Sequence, residues 1–348
     1  MSRLRALAPL GALLLALLLA ACGGDGAPAA APASLAASTA SRAPERVTFM
    51  AGFTPQANLP FVGVYVAVAK GYFAEQGLEV EVRHSSGQDE HLKLLLAQGI
   101  DFTTGTAAQV LRRRADVVPV VAVALFGQRG DQGYVARADS GIKGPADFRG
   151  RSVGFKAGVV PAELKAMLAS AGLAESDVKL QAVGFDPRVF IEKQVDVYPV
   201  FLNNEPDTIR RVGVPITVID PADFGVLTLG LTFLAHEDTV KQRPQTVERF
   251  LRASLRGVQY ASEHVDEAVQ ITLQYAKGAD AEHQKFLLET EIAGAKRAGG
   301  VGRSDAAQWQ SLEQLLRKFG VLEAGKSVAG AYDGSFVDRL YDAQGKLK

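Results

Sequence analysis

The stretch Lys70-Gly71-Tyr72-Phe73-Ala74-Glu75-Gln76-Gly77-Leu78-Glu79-Val80-Glu81-Val82-Arg83 holds the junction from which the fold can be read. It opens where a helix predicted over residues 61–70 must stop, because Gly71 tolerates the left-handed backbone that closes helix C-termini. It ends in strict alternation of apolar and charged residues over 78–83, the period-two pattern of a strand with one face covered. Upstream, Pro60 suits the first turn of that helix, since it has no N–H to leave unpaired. Residues 47–50, Val-Thr-Phe-Met, read as a strand before it. Strand, helix and strand in this order make a βαβ unit.

Working outward, the alternation continues. A helix is expected over 89–97, a short strand at 101–102, a helix over 107–114 and a buried strand over 117–125. A second set follows, with strands over 151–155, 178–183, 195–200 and 215–219, and helices over 161–171, 188–193 and 205–211. Two such sets predict two α/β lobes, each on a mainly parallel sheet, and such sheets hold ligands at the carboxyl ends of their strands. From Val240 the pattern turns helical, with Val247, Phe250, Leu251, Ser254 and Leu255 spaced to cover one face.

The N-terminus reads differently. Arg3 and Arg5 precede the apolar stretch 10–19, and Leu19-Ala20-Ala21 leads to Cys22, the single cysteine of the 348-residue chain. A basic start, a short apolar segment and small residues before a cut describe a secretory signal peptide over residues 1–21, too short for a comfortable membrane span. With cysteine next, it resembles a bacterial lipoprotein signal, which implies acylation of Cys22 and anchoring to a lipid membrane. Residues 22–45 are mostly Ala, Gly, Pro and Ser, too poor in large apolar groups to repay ordering, and are expected to be a flexible tether of roughly 25–30 Å. The expected address is extracytoplasmic, on the periplasmic face or the cell surface.

Charge excludes some classes. Removing the leader turns a balance of 38 basic and 38 acidic residues into a net charge of about −2, and nothing in it courts nucleic acid. Arg112-Arg113-Arg114 sits at a predicted helix C-terminus, where it complements the dipole. Gly320-Val321-Leu322-Glu323-Ala324-Gly325-Lys326-Ser327 spells a P-loop, but it follows a helix rather than a strand. The five histidines, His84, His91, His236, His264 and His283, show no zinc-like spacing, so no metal and no cofactor is expected. His84 and His91 are expected at the surface.

The run over 70–80 resembles the KGYF-x-E-x-G-L-x-V signature of SsuA/THI5-like (NMT1) solute-binding proteins. Residues 94–102, Ala146-Asp147-Phe148-Arg149-Gly150-Arg151-Ser152-Val153-Gly154 and Val183-Gly184-Phe185-Asp186 match the same family in order. The resemblance implies a type II periplasmic-binding-protein fold: lobe 1 over 46–133, lobe 2 over 134–232, and a return to lobe 1 over 233–348. Crossovers are expected near 132–137 and 229–235. It also implies hinge closure over a solute and delivery to an ABC permease, by a monomer that is not an enzyme. Within the family the likeness is nearest to binders of aromatic nitrogen heterocycles, thiamine pyrimidine precursors and riboflavin. The loop Phe53-Thr54-Pro55-Gln56-Ala57-Asn58 lacks the tryptophan and histidine of the pyrimidine binders and looks more like the riboflavin branch. The family's pyrimidine synthases are the catalytic alternative, yet their cysteine-rich motif cannot be supplied by Cys22. A solute-sensing lipoprotein is a third.

A planar heterocycle needs aromatic faces and edge donors and acceptors in a mostly apolar cleft. Gln56 and Asn58 follow the first strand with paired amides, though turn chemistry suits them equally. Ser85, Ser86 and Gly87 precede a helix, as do Thr104, Gly105 and Thr106, and helix capping explains both sets as well as ligand contact does. In the second lobe Phe185 and Asp186 follow one strand, and Tyr198, Asn204 and Glu205 lie on or after another. Glu205 could accept hydrogen bonds from an amine or ribityl hydroxyls, or serve as a first-turn acid. Tyr65 and Tyr198 are the candidate stacking faces, with a place in the core the somewhat favoured reading of each.

Overall fold

A computed structural model describes residues 43–87, 89–156 and 160–348. The leader, Cys22 and the tether lie outside the described residues. The alternating segment that opens the βαβ unit is a strand, and it pairs in parallel with the strand before it, with Val47 opposite Val80 and Phe49 opposite Val82. Numbered along the chain, the strands are β1 (Glu45–Ala51), β2 (Leu78–His84), β3 (Phe102–Thr106), β4 (Val120–Leu125), β5 (Gln132–Arg137), β6 (Ser152–Phe155), β7 (Lys179–Ala182), β8 (Val197–Phe201), β9 (Ile216–Ile219) and β10 (Leu231–His236). They form two five-stranded sheets, β2-β1-β3-β10-β4 and β7-β6-β8-β5-β9.

In each sheet one strand runs against its neighbours: β10 is antiparallel to β3 and β4, and β5 to β8 and β9. Both arrive directly from the other lobe. The segments expected as crossovers, 132–137 and 229–235, are largely these two strands, and the chain changes lobe just before each. Their residues are covered on both faces, so they lack the alternation that marks a half-buried strand. The two connections run side by side: Phe126 N–H donates to Leu231 O (2.9 Å) and Gly230 N–H to Gly127 O (2.9 Å). A Cβ on Gly127 would stand 2.5 Å from the Gly230 Cα, so the two connections come this close only because both positions lack side chains.

Each sheet is packed on both faces. Val47, Phe49 and Ala51 of β1 point into a core shared with the helices Leu59–Ala69 and Pro244–Glu263, while Met50 points into a second core with Leu92, Val110 and Trp309. Val247, Phe250, Leu251, Ser254 and Leu255 are all buried, and Phe250 stacks on Phe102 with centroids 4.0 Å apart. The long tail helix therefore packs on the first sheet. Leu315 and Phe319, on and after the helix Ala306–Lys318, lie against cores of both lobes.

Where the helices Leu59–Ala69 and Pro244–Glu263 cross, Gly63 faces Gly257, and a Cβ on Gly257 would lie 2.0 Å from the Gly63 carbonyl oxygen. Backbone cannot yield as a side chain can. Gly257→Ala is expected to cost about 1–3 kcal/mol, read as a lower urea midpoint at unchanged slope.

Candidate functional site

Loops at the carboxyl ends of the two sheets approach each other between the lobes, where Asn58 and Asn203 share Glu291, and this junction is the crevice. On the first lobe, β1 runs into the loop 52–58, and its neighbours end in Ser85 and in Thr104 to Thr106. Gly52 N–H donates to Thr104 Oγ1 (3.0 Å), and the His91 ring contacts Ser85 Oγ through Nδ1 (3.2 Å). Thr104, Ser85 and His91 are buried together. His91 was expected at the surface; burial instead holds its imidazole below the usual range and therefore neutral near pH 7. Thr106 caps the helix Ala107–Ala115 in a capping box with Gln109, which absorbs its hydroxyl. Ser86 is spent on Glu90, through its amide (3.0 Å) and its hydroxyl (2.9 Å), and with Gly87 lines a shallow recess beside Glu90, Lys93 and Leu94.

The tyrosines take the core reading. Tyr65 is fully buried, stacked on Tyr275 at 4.1 Å, with its hydroxyl 2.6 Å from His84 Nε2. Tyr198 is fully buried against Phe190 and donates to the Gly184 carbonyl (2.9 Å). Neither offers a free ring face to a solute. Residue type left stacking and core both open, and both rings point from their element into the core. Large aromatic surface is exposed elsewhere, at Phe53 in the loop after β1 (50 % exposed) and Phe185 in the loop after β7 (62 %). One belongs to each lobe, each just beyond a strand's carboxyl end. Asp186, next to Phe185, is held by its own turn through Arg188 (Oδ2 to Nε 2.6 Å).

On the second lobe Lys156 follows β6 and meets Glu205 at 2.5 Å, with only 11 % and 7 % of the two side chains exposed. The ammonium also lies 5.1–5.2 Å from the ring centroids of Phe185, Tyr198 and Phe201. Burial pulls the Lys156 pKa down while the Glu205 carboxylate holds it up. The second Glu205 oxygen accepts the Phe201 N–H (2.8 Å), so this first-turn acid is fully engaged. Asp131, just before β5, is pushed up to about 6, chiefly by burial, with Glu163 and Glu205 as negative neighbours. Burial likewise raises Glu163.

A third set of contacts ties the lobes together. Gln56 Nε2 donates to Asn58 Oδ1 (2.5 Å), and Asn58 Nδ2 donates to Glu291 Oε1 on the helix Ala281–Ala295. Glu291 also accepts the Leu59 N–H (2.6 Å) and, from the second lobe, Asn203 Nδ2 (2.7 Å). Burial pushes the Glu291 carboxyl up to about 7 against the pull of these donors. One helix turn or more away, His283 meets Asp207 (2.7 Å) and Asn204 (3.0 Å), and Arg211 meets Asp280 (3.1 Å).

Of the residues expected from sequence, Gln56, Asn58, Asn204 and Glu205 therefore gather at the crevice, with Phe185 at its rim. Phe53, Asp131, Lys156, Glu163, Asn203 and Glu291 were not foreseen. Lys156 and Phe53 follow strands and were within reach of the same reasoning that found Glu205. The basic and P-loop-like runs serve structure: Arg113 pairs with Asp89 and Arg114 with Glu237, while Lys326 pairs with Asp116 and Glu323.

Known proteins share this architecture. The SsuA aliphatic sulphonate binding protein of Escherichia coli superposes with a TM-score of 0.65 at 15 % identity, over 83 % of this chain and 91 % of that one. Sequence similarity is greater to the riboflavin-binding protein RibY of Chloroflexus aurantiacus, 31 % identical over 93 % of this chain and 96 % of RibY. The formylaminopyrimidine-binding protein of Halalkalibacterium halodurans is 28 % identical over 78 % of this chain and 84 % of its own length. The "NMT1/THI5 like" family model matches residues 58–268, from the Asn58 amide through both connections and into the tail helices. With that match and the near-full-length similarity to RibY, the chain belongs to the NMT1/THI5-like family of periplasmic-binding-protein fold.

Proposed function

We propose that this protein captures a planar nitrogen heterocycle, riboflavin first and an aminopyrimidine second, between its two lobes and passes it to an ABC permease. The observation that carries the reading is the pair of exposed aromatic side chains, Phe53 and Phe185, one on each lobe beyond the strand ends, flanking buried amides and carboxyls. Rings on both sides supply stacking surface; Gln56, Asn58, Asn204, Glu205 and Lys156 supply the edge donors and acceptors. The similarity to RibY along nearly the whole chain supports flavin over pyrimidine. The Cys22 signal supports a lipid-anchored, extracytoplasmic address, where a tether raises the binder's effective concentration at a permease. Catalysis has less support, since Cys22 is the chain's one cysteine.

Riboflavin is expected to raise the melting temperature, an aminopyrimidine to raise it less, and an aliphatic sulfonate to leave it unchanged. Phe53→Ala and Phe185→Ala should each weaken riboflavin binding about three- to tenfold with little loss of stability, because both rings are half or more exposed in the unliganded chain. Isothermal titration checks both. No shift with either heterocycle would remove the ligand class.

A further inference from the structure

The contacts around Glu291 form a polar bridge between the lobes, and they join groups far apart in sequence. Asn58 and the Leu59 amide belong to the first lobe, Asn203 to the second, and a single carboxyl accepts from all three. The helix that carries Glu291 rests on the first lobe, against the helices Leu59–Ala69 and Val265–Tyr275, and its N-terminal half reaches the second-lobe helix Glu205–Arg211. Separating the lobes must break the Asn203 bond and the neighbouring His283 contacts.

We infer that Glu291 is a proton-controlled latch of lobe closure: bridging the lobes draws its carboxyl partly out of water, so closing takes up a proton and the lobes part more readily as the medium becomes alkaline.

The neighbours set the sign. The loop 56–58 and Asn203 face the carboxyl with amides only, and the nearest charged group, Asp131, is itself an acid. On the remaining elements several charges engage one another: Asp207 and Arg211 meet His283 and Asp280, Asp266 meets Lys285, and Arg297 meets Asp305. Arg210, Lys296, Glu282 and Glu289 are charged too, and none of them hydrogen-bonds the Glu291 carboxyl. Among the described residues the groups that hydrogen-bond Glu291 are amides and a backbone N–H, with no cation among them to hold its negative charge. The pKa, raised by burial, returns to the ordinary carboxylate range once opening restores water. A group whose pKa is raised in one state favours that state below the lower pKa and loses that contribution as pH rises through the higher one. The window therefore runs from about pH 4.5 to about 7.

The test uses the full chain as Cys22→Ser, with nitroxide labels on Glu79→Cys in β2 and Lys179→Cys in β7, both exposed and one on each sheet. Distance distributions without ligand should show the closed-to-open ratio falling about tenfold or more between pH 5.5 and 8.5. Glu291→Gln keeps an oxygen for Asn58 and Asn203 and cannot ionise; its NH2 then faces the Leu59 N–H, which lowers the closed fraction at every pH, but the ratio should barely change with pH. A wild-type ratio that does not move, or a shift that persists in Glu291→Gln and vanishes in Asp131→Asn, would overturn the latch. The inference leans on the heterocycle reading only for its ligand arm, in which riboflavin affinity falls alongside the closed fraction. Failure of riboflavin to bind at any pH sinks that reading and leaves the ligand-free distances to decide the latch.

Discussion

Replacing Glu205 by alanine is expected to destabilise the chain by about 3–5 kcal/mol and to weaken riboflavin binding at the same time. The carboxyl does two structural jobs. One oxygen meets Lys156 Nζ at 2.5 Å in a pair that is almost closed to water, and the other accepts the Phe201 N–H at the end of β8. Removing it leaves an ammonium among aromatic rings with no counter-ion and a backbone donor with no acceptor. Lys156, whose pKa burial already lowers, is then driven further toward its neutral form. Loss of affinity in this variant alone would therefore not separate binding from folding. The double variant Lys156→Met, Glu205→Leu does, because an apolar pair of similar volume often matches a buried ion pair in stability. Urea unfolding should return to within about 1–2 kcal/mol of the parent, while titration with riboflavin stays at least tenfold weaker. Restored affinity in the double variant would reduce the pair to a packing element.

That double role shows how far the chain can be read without coordinates. Glu205 was legible because an acid opening a helix after a strand has a local reason to be there, and the two readings weighed for it, dipole partner and ligand contact, use the same position. The parallel strands were legible for a similar reason: β2 writes its pairing in alternating valine and glutamate. β5 and β10 were not, since a strand covered on both faces loses the period, and Gly127 and Gly230 look like any other glycines until their backbones meet. Tyr65 and Tyr198 show a different gap. Sequence supplies an aromatic ring, but which side of the element carries it is decided by the packing of Tyr275 and Phe190. Glu291 was the least accessible, 233 positions from Asn58 in a helical tail with no family signal, where only tertiary folding gives it partners.

The phosphate ester of riboflavin is expected to bind at least ~100-fold more weakly than riboflavin itself at pH 8, since like charges meeting in a desolvated cleft cost several kcal/mol. The cleft edge of the second sheet carries Asp131, Glu163 and Glu205, with Glu291 across the gap, and Asp131 acts as a negative neighbour of Glu291. Against these stands Lys156, whose charge is already matched by Glu205. A ribityl chain offers hydroxyl donors to such a surface, whereas a phosphate offers only acceptors and nearly two negative charges. The penalty should shrink as pH falls toward 5.5. Asp131 and Glu291, raised to about 6 and about 7, then gain protons, and the phosphate loses part of its second charge near pH 6. Added salt should narrow the gap much less, because enclosed charges are poorly screened. Asp131→Asn and Glu163→Gln should each narrow it at pH 8 without improving riboflavin binding. Competition titration of the two flavins across pH decides the matter: equal affinity at pH 8 would mean that the phosphate stays outside the cleft, and the carboxyls would then take no part in choosing the solute.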